Sequence, residues 1–161
     1  MKLLQLGHDV DSERDLYSLE LNQLQEFPSN FRLPSKHFVC LTVGDTSHLS
    51  DRDLHGLADT LLRSGAVYLS FWGPGSNRAQ ALFDDAILMS DYESSNEAVI
   101  PTVAHDEELE ETLNFLLLFT GAAPEYQDSC HAALVLLLSA PEHTAAVHRA
   151  LEDPKAFVTA I

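Results

Sequence analysis

Ala66-Val67-Tyr68-Leu69-Ser70-Phe71-Trp72-Gly73-Pro74-Gly75-Ser76-Asn77-Arg78 decides the fold. An apolar run rich in aromatic and aliphatic side chains breaks at Gly-Pro-Gly, and apolar residues then return at three- and four-residue spacing: Ala79, Leu82, Phe83, Ala86 and Ile87. The change from a continuous apolar run to helical period is the signature of a strand, a tight turn and a half-buried helix. Ser76 or Asn77 is placed to open that helix.

The same unit repeats on either side. His37-Phe38-Val39-Cys40-Leu41-Thr42-Val43 reads as a strand, and Leu54, Leu57, Ala58, Leu61 and Leu62 form one helical face, opened by Ser50 or Asp51 and closed by Gly65. After a polar connector at residues 91–97, residues 98–104 read as a strand whose internal Pro101 points to an edge strand or to a strand's first residues. Asp106 is the expected cap of the next helix, with Leu109, Leu113, Leu116 and Leu117 on one side and Glu107, Glu108, Glu110 and Glu111 at its positive end. From Phe115 that helix is apolar all round, so Phe115, Leu118 and Phe119 are expected to meet an N-terminal arm or a second copy of the chain in a homodimer. Residues 130–138 make a last, central strand, and Ser139-Ala140-Pro141-Glu142 has the form of a capping box before a helix carrying Val147 and Leu151.

Strand and helix in alternation predict a mostly parallel sheet of four to five strands in a three-layer α/β sandwich, Rossmann-like or flavodoxin-like, with helices on both faces. One domain covers residues 1–161, with a βα-repeating core at 36–161. Residues 1–35 are marked off by Pro28, Ser29-Asn30 and Pro34 as an N-terminal arm or added element such as a hairpin, and their type stays open, since Leu16, Leu19 and Leu24 suit a helix while Tyr17, Leu19 and Leu21 alternate as in a strand.

With 25 acidic and 9 basic residues the formal net charge is −16, so DNA, RNA and anionic membrane surfaces meet a repulsive mean field and a basic protein partner an attractive one. Cys40 and Cys130 lie in apolar runs and are expected to be reduced. The first residues lack the continuous apolar run of a secretory signal, and the run at 132–138 is too short to span a bilayer. A cytoplasmic location is the expectation.

In parallel sheets ligands bind beyond the carboxyl ends of the strands. The loops of interest there are Gly44 to Ser50, Gly73 to Arg78, His105 to Glu108 and Ser139 to His143, and the candidate ligand- or partner-binding residues are Trp72, Gly73, Gly75, Ser76, Asn77, Arg78, His105, Asp106, Glu107 and Glu108, with Asp84 and Asp85 on the intervening helix. The Gly-Pro-Gly turn at a helix start can receive an anion, with Arg78 as a second contact, but it lacks the third glycine of a dinucleotide loop and the Gly-Lys-Ser/Thr of a triphosphate loop. Ser76 and His105, with Asp84, Asp85 or Asp106, contain the residue types of a hydrolytic triad without a Gly-x-Ser-x-Gly elbow. The eight histidines include no His-x-His or His-x-x-x-His pair, and neither cysteine has a close partner, so no metal or other cofactor is expected.

Ser64-Gly65, Trp72-Gly73-Pro74, Phe83-Asp84-Asp85, His105, Asp106-Glu107 and Leu109-Glu110-Glu111 resemble the pattern of a family of small, uncharacterised bacterial α/β proteins, and Cys130 fits it. The resemblance covers the middle and C-terminal two thirds and implies the fold and the position of the site, with no activity attached. Where that pattern often has Cys and Trp this chain has Ser76 and Ala104, which removes any thiol chemistry from the site.

The functional expectation is a non-enzymatic acidic protein that engages a basic partner protein, of immunity, inhibitor or accessory type. The alternative is a small-molecule or nucleotide-binding domain, or a hydrolase, built on Ser76, Arg78 and His105.

Overall fold

Strand Cys130–Leu138 is apolar almost throughout because it lies inside the sheet, with a parallel neighbour on each side. The computed structural model describes residues 1–89 and 99–160. Its strands are β1 (Lys2–Asp9), β2 (Arg14–Leu21), β3 (His37–Val43), β4 (Ala66–Trp72), β5 (Thr102–His105) and β6 (Cys130–Leu138), in the order β1-β2-β6-β3-β4-β5. The hairpin β1–β2 is antiparallel and every other pairing is parallel. The α/β class with a mostly parallel sheet stands, but the described residues form six strands, above the expected four to five. The excess comes from the first 35 residues, which form the hairpin. Through β2 it becomes part of the sheet, register running from Asp15↔Ala132 to Leu21↔Leu138.

The helices are α1 (Asp51–Ser64), α2 (Ser76–Met89), α3 (Leu109–Phe119), α4 (Pro124–Gln127), α5 (Thr144–Glu152) and α6 (Pro154–Thr159). Alternate strand residues divide between two apolar clusters. Phe38, Cys40, Leu69, Phe71, Leu134 and Leu136 pack with α1 and α2, while Val39, Leu41, Val67, Val135 and Leu137 pack with α3, α5 and α6. Each fully buried Leu or Phe removes enough apolar surface from water to favour folding by about 1.5–3 kcal/mol. The connection from β2 to β3 contributes Phe31 and Leu33 to the α1 side. Both cysteines are free and buried, and burial pushes the Cys40 thiol up to about 12.

Local signals explain most element ends. The Ser50 hydroxyl accepts the Asp53 amide at 3.0 Å and the Asp53 carboxylate accepts the Ser50 amide, so α1 opens on a complete capping box. Gly65 closes it in the left-handed conformation. Two expected caps are displaced. Helix α3 starts two residues later than Asp106 predicts, with Glu108 at its N-cap, and the Asp106 amide donates to the Glu107 carboxylate at 3.1 Å. Ser139 does not cap a helix: it adopts φ 50 and its hydroxyl donates to the Asn22 carbonyl, and a 3-10 turn at Pro141–His143 precedes α5. The connector at residues 91–97 and Ala98 lie outside the described residues, and among the described residues of the strand expected at 98–104 the strand is Thr102–His105, beginning directly after Pro101 at the sheet's edge.

Candidate functional site

Strands β3, β4, β5 and β6 are mutually parallel, so their carboxyl ends share one edge: Val43 pairs with Trp72, Trp72 with His105, and Val43 with Leu137. The chain leaves β3 toward α1 on one face and β6 toward α5 on the other. Such a switch point ordinarily opens a crevice. Here backbone fills it. A Cβ on Gly44 would stand 2.4 Å from the Leu138 carbonyl oxygen, and one on Gly73 2.2 Å from that of Gly44. Both glycines, with Gly75, adopt positive φ. The Gly44 amide bonds the Trp72 carbonyl at 3.0 Å and the Thr46 amide that of Pro74 at 2.9 Å, which ties the β3 and β4 loops together.

A ring cluster lies on the α3 side of this edge. The Trp72 indole N–H donates to the Glu107 carbonyl at 2.7 Å, and its ring meets His143 edge-on at 4.9 Å between centroids. His105, 6% exposed, bonds the Glu107 carboxylate through Nδ1 at 2.6 Å and packs edge-to-face on Phe115 at 4.8 Å. Its Nε2 is buried with no hydrogen-bond partner among the described residues. Burial raises the Glu107 pKa, but hydrogen bonds from its own amide, His105 and Thr112, with the field of His105, outweigh it and hold the carboxyl below its ordinary value.

Ser76 and Arg78 belong to α2, which packs on the α1 side, whereas His105 turns to α3. The Ser76 amide donates to the Gly73 carbonyl at 3.2 Å as part of the turn. Asn77 is exposed. Arg78 reaches the Asp51 carboxylate at 2.6 Å and the Thr46 carbonyl at 3.5 Å, so its charge is committed to joining the starts of α1 and α2. Asp84 accepts the Thr102 hydroxyl at the beginning of β5. It therefore lies toward the strand's amino end, away from Glu107, and Asp85 beside it is exposed.

The edge does gather Trp72, Gly73, His105, Asp106, Glu107 and Glu108, with Asp106 and Glu108 exposed. It also gathers acids absent from the expected set: Asp45 after β3, Asp51 at the start of α1 and Glu142 after β6, with side chains 53%, 70% and 65% exposed. Their signal in the sequence is positional, since each follows a parallel strand within a few residues or begins the next helix. The Ser47 hydroxyl and amide hydrogen bonds hold the Asp45 carboxyl below its ordinary range.

Among the described residues no group of three or more His, Cys, Asp or Glu is placed to hold a metal ion, and no helix is long and apolar enough to cross a membrane. No curated protein and no solved structure matches the chain. Residues 16–154, from the first buried leucine of β2 to the opening of α6, match the family described as "Domain of unknown function (DUF7684)", and the chain belongs to that family.

Proposed function

We propose that this protein is a non-enzymatic, cytoplasmic binding protein of immunity, inhibitor or accessory type, which presents the acidic carboxyl edge of its sheet to a basic surface on a partner protein. The observation that carries the reading is the convergence of exposed Asp45, Asp106, Glu108 and Glu142 on one edge whose central crevice is occupied by glycine backbone. A surface of one charge sign speeds encounter with its opposite and selects against like-charged partners, DNA and RNA included. Pairing of Arg78 with Asp51 favours this over an anionic ligand held by Ser76, Arg78 and His105. The apolar clusters on the two faces support a three-layer, Rossmann-like arrangement as the scaffold.

Isolation of the tagged protein from its native cells at low and moderate salt tests the proposal. A basic partner is expected at low salt, weakened by salt, and lost when Asp106, Glu108 and Glu142 are replaced together by Lys. Asp85→Lys, away from the edge, should retain it. Recovery of no salt-sensitive partner, or equal recovery by the triple variant, overturns the proposal.

A further inference from the structure

At the opposite end of the sheet the charge reverses locally. Of the chain's nine Lys and Arg residues, Arg32, Lys36 and Arg63 line one cavity of about 350 Å³, together with His37. Arg32, Lys36 and His37 belong to one segment that ends at the start of β3, and the fold brings Arg63, at the end of α1, to them. Gly65, at φ 110, ends α1 against the chain just before β3: a Cβ there would stand 2.0 Å from the Lys36 carbonyl oxygen, and the Phe38 amide bonds the Gly65 carbonyl at 3.0 Å. That close approach brings the last turn of α1, with Arg63, beside Lys36. The segment leading from β2 supplies Arg32.

We propose that Arg32, Lys36 and Arg63 bind the phosphate of a small phosphomonoester in this cavity, with Leu33 and Leu62 against its organic part. Arg63 shares its charge with Asp59 at 2.7 Å, but Arg32 and Lys36 have no carboxylate partner among the described residues: the Arg32 guanidinium donates only to the neighbouring Phe31 carbonyl at 2.8 Å. Two uncompensated cations and a third shared one match a phosphate dianion better than a monoanion, and guanidinium groups offer paired donors to phosphate oxygens. The carboxyl end of α1 opposes an anion by the equivalent of roughly half a charge, which the cations exceed. The cavity lies in the size range of small-molecule sites, from about 300 Å³ upward, so it admits an organic group beyond the phosphate. His37 is held in its wall by Ser129, whose hydroxyl meets Nδ1 at 2.6 Å, and by the Tyr126 ring at 4.7 Å. The site is thus partly ordered without ligand, and a chain of net charge −16 retains a place for an anion where its few cations meet.

Amide NMR titration and calorimetry on the full chain, in phosphate-free buffer at low ionic strength, test this with glycerol phosphate, inorganic phosphate, glycerol and acetate as probes. Glycerol phosphate is expected to bind saturably and more tightly than inorganic phosphate, shifting the Lys36 and Gly65 amides, while glycerol and acetate leave them in place. The R32Q/K36Q variant should bind about tenfold more weakly or worse, and R149Q, on another face, as the wild type does. Both replaced side chains are exposed, and Lys36→Gln alone should weaken binding several-fold if the double variant folds poorly. Absence of saturable binding, shifts confined to other residues, equal binding by the variants, or equal affinity for inorganic phosphate and glycerol phosphate overturns the proposal.

Discussion

The Trp72 indole N–H donates to the Glu107 backbone carbonyl at 2.7 Å, so the strand-end aromatic of β4 fixes the loop that leaves β5. The same ring is half-buried and packs on the α3 side. Its role at the edge is therefore that of a clasp, holding the acids of the β5–α3 loop in one position. Trp72→Phe keeps most of the apolar contact and leaves the carbonyl unpaired, an expected loss of about 1–2 kcal/mol in urea unfolding. Amide exchange in the first turn of α3 should quicken with it. Unchanged exchange there would mean that the loop is held by other contacts.

The glycine packing at the switch point predicts a sharp contrast between two positions. Gly73→Ala puts a methyl 2.2 Å from the Gly44 carbonyl oxygen at φ 119, and should cost about 2–4 kcal/mol through strain and displacement of the β3 loop. Gly56→Ala, inside α1 with nothing within 4 Å of the new methyl, should stabilise by about 0.5–1 kcal/mol. Equilibrium denaturation of the two variants checks both signs.

Glu107 links the edge to pH. Its carboxyl is held below the ordinary value of 4.5, so the ionised form is favoured by folding, and the stability it contributes is full above that value and is lost as pH falls through the lower folded-state pKa. Glu107→Gln should accordingly be less stable than wild type near pH 7, and the gap should narrow as pH falls toward about 3. A gap constant across that range, measured by chemical denaturation, would assign the loss to packing and not to charge.

The strands β3, β4 and β6 were legible because each is covered on both faces and reads as an unbroken apolar run between turn residues. The hairpin was not. Leu16, Tyr17, Ser18 and Leu19 are all buried because β2 lies between β1 and β6 with helices on its flank, which erases alternation, while β1, with one neighbour, has no buried residue and carries too little apolar signal. The loop pair at Trp72 and His105 was legible from consecutive parallel strands, since sequence order and sheet order agree across β3, β4 and β5. The engagement of Arg78 by Asp51, the bond from Thr102 to Asp84, and the meeting of Arg32, Lys36 and Arg63 depend on tertiary approach and leave no periodic trace.

Phe115, Leu118 and Phe119 separate two consequences of one apolar helix. The Phe115 ring packs on His105, and Phe115→Ala should cost about 2 kcal/mol, less than a fully buried Phe because the site is half-buried. Leu118 and Phe119 are 53% and 62% exposed. The hairpin reaches this end of α3 through Arg14, whose guanidinium donates to the Thr120 hydroxyl at 3.1 Å, and through Asp9, Asp11 and Ser12 beside Leu117 and Leu118, but it leaves Phe119 uncovered. Phe119 still meets the Phe115 ring at 5.7 Å between centroids and ends α3, so Phe119→Asp should cost about 0.5–1.5 kcal/mol of unfolding stability. Two exposed side chains are far short of the apolar area of an obligate dimer, so pairing of two chains here is expected to be weak. Sedimentation should show wild-type mass rising with protein concentration and Phe119→Asp holding at one chain; equal mass in both proteins at every concentration would remove this helix as a pairing surface, and a large stability loss in Phe119→Asp would place its ring in the core.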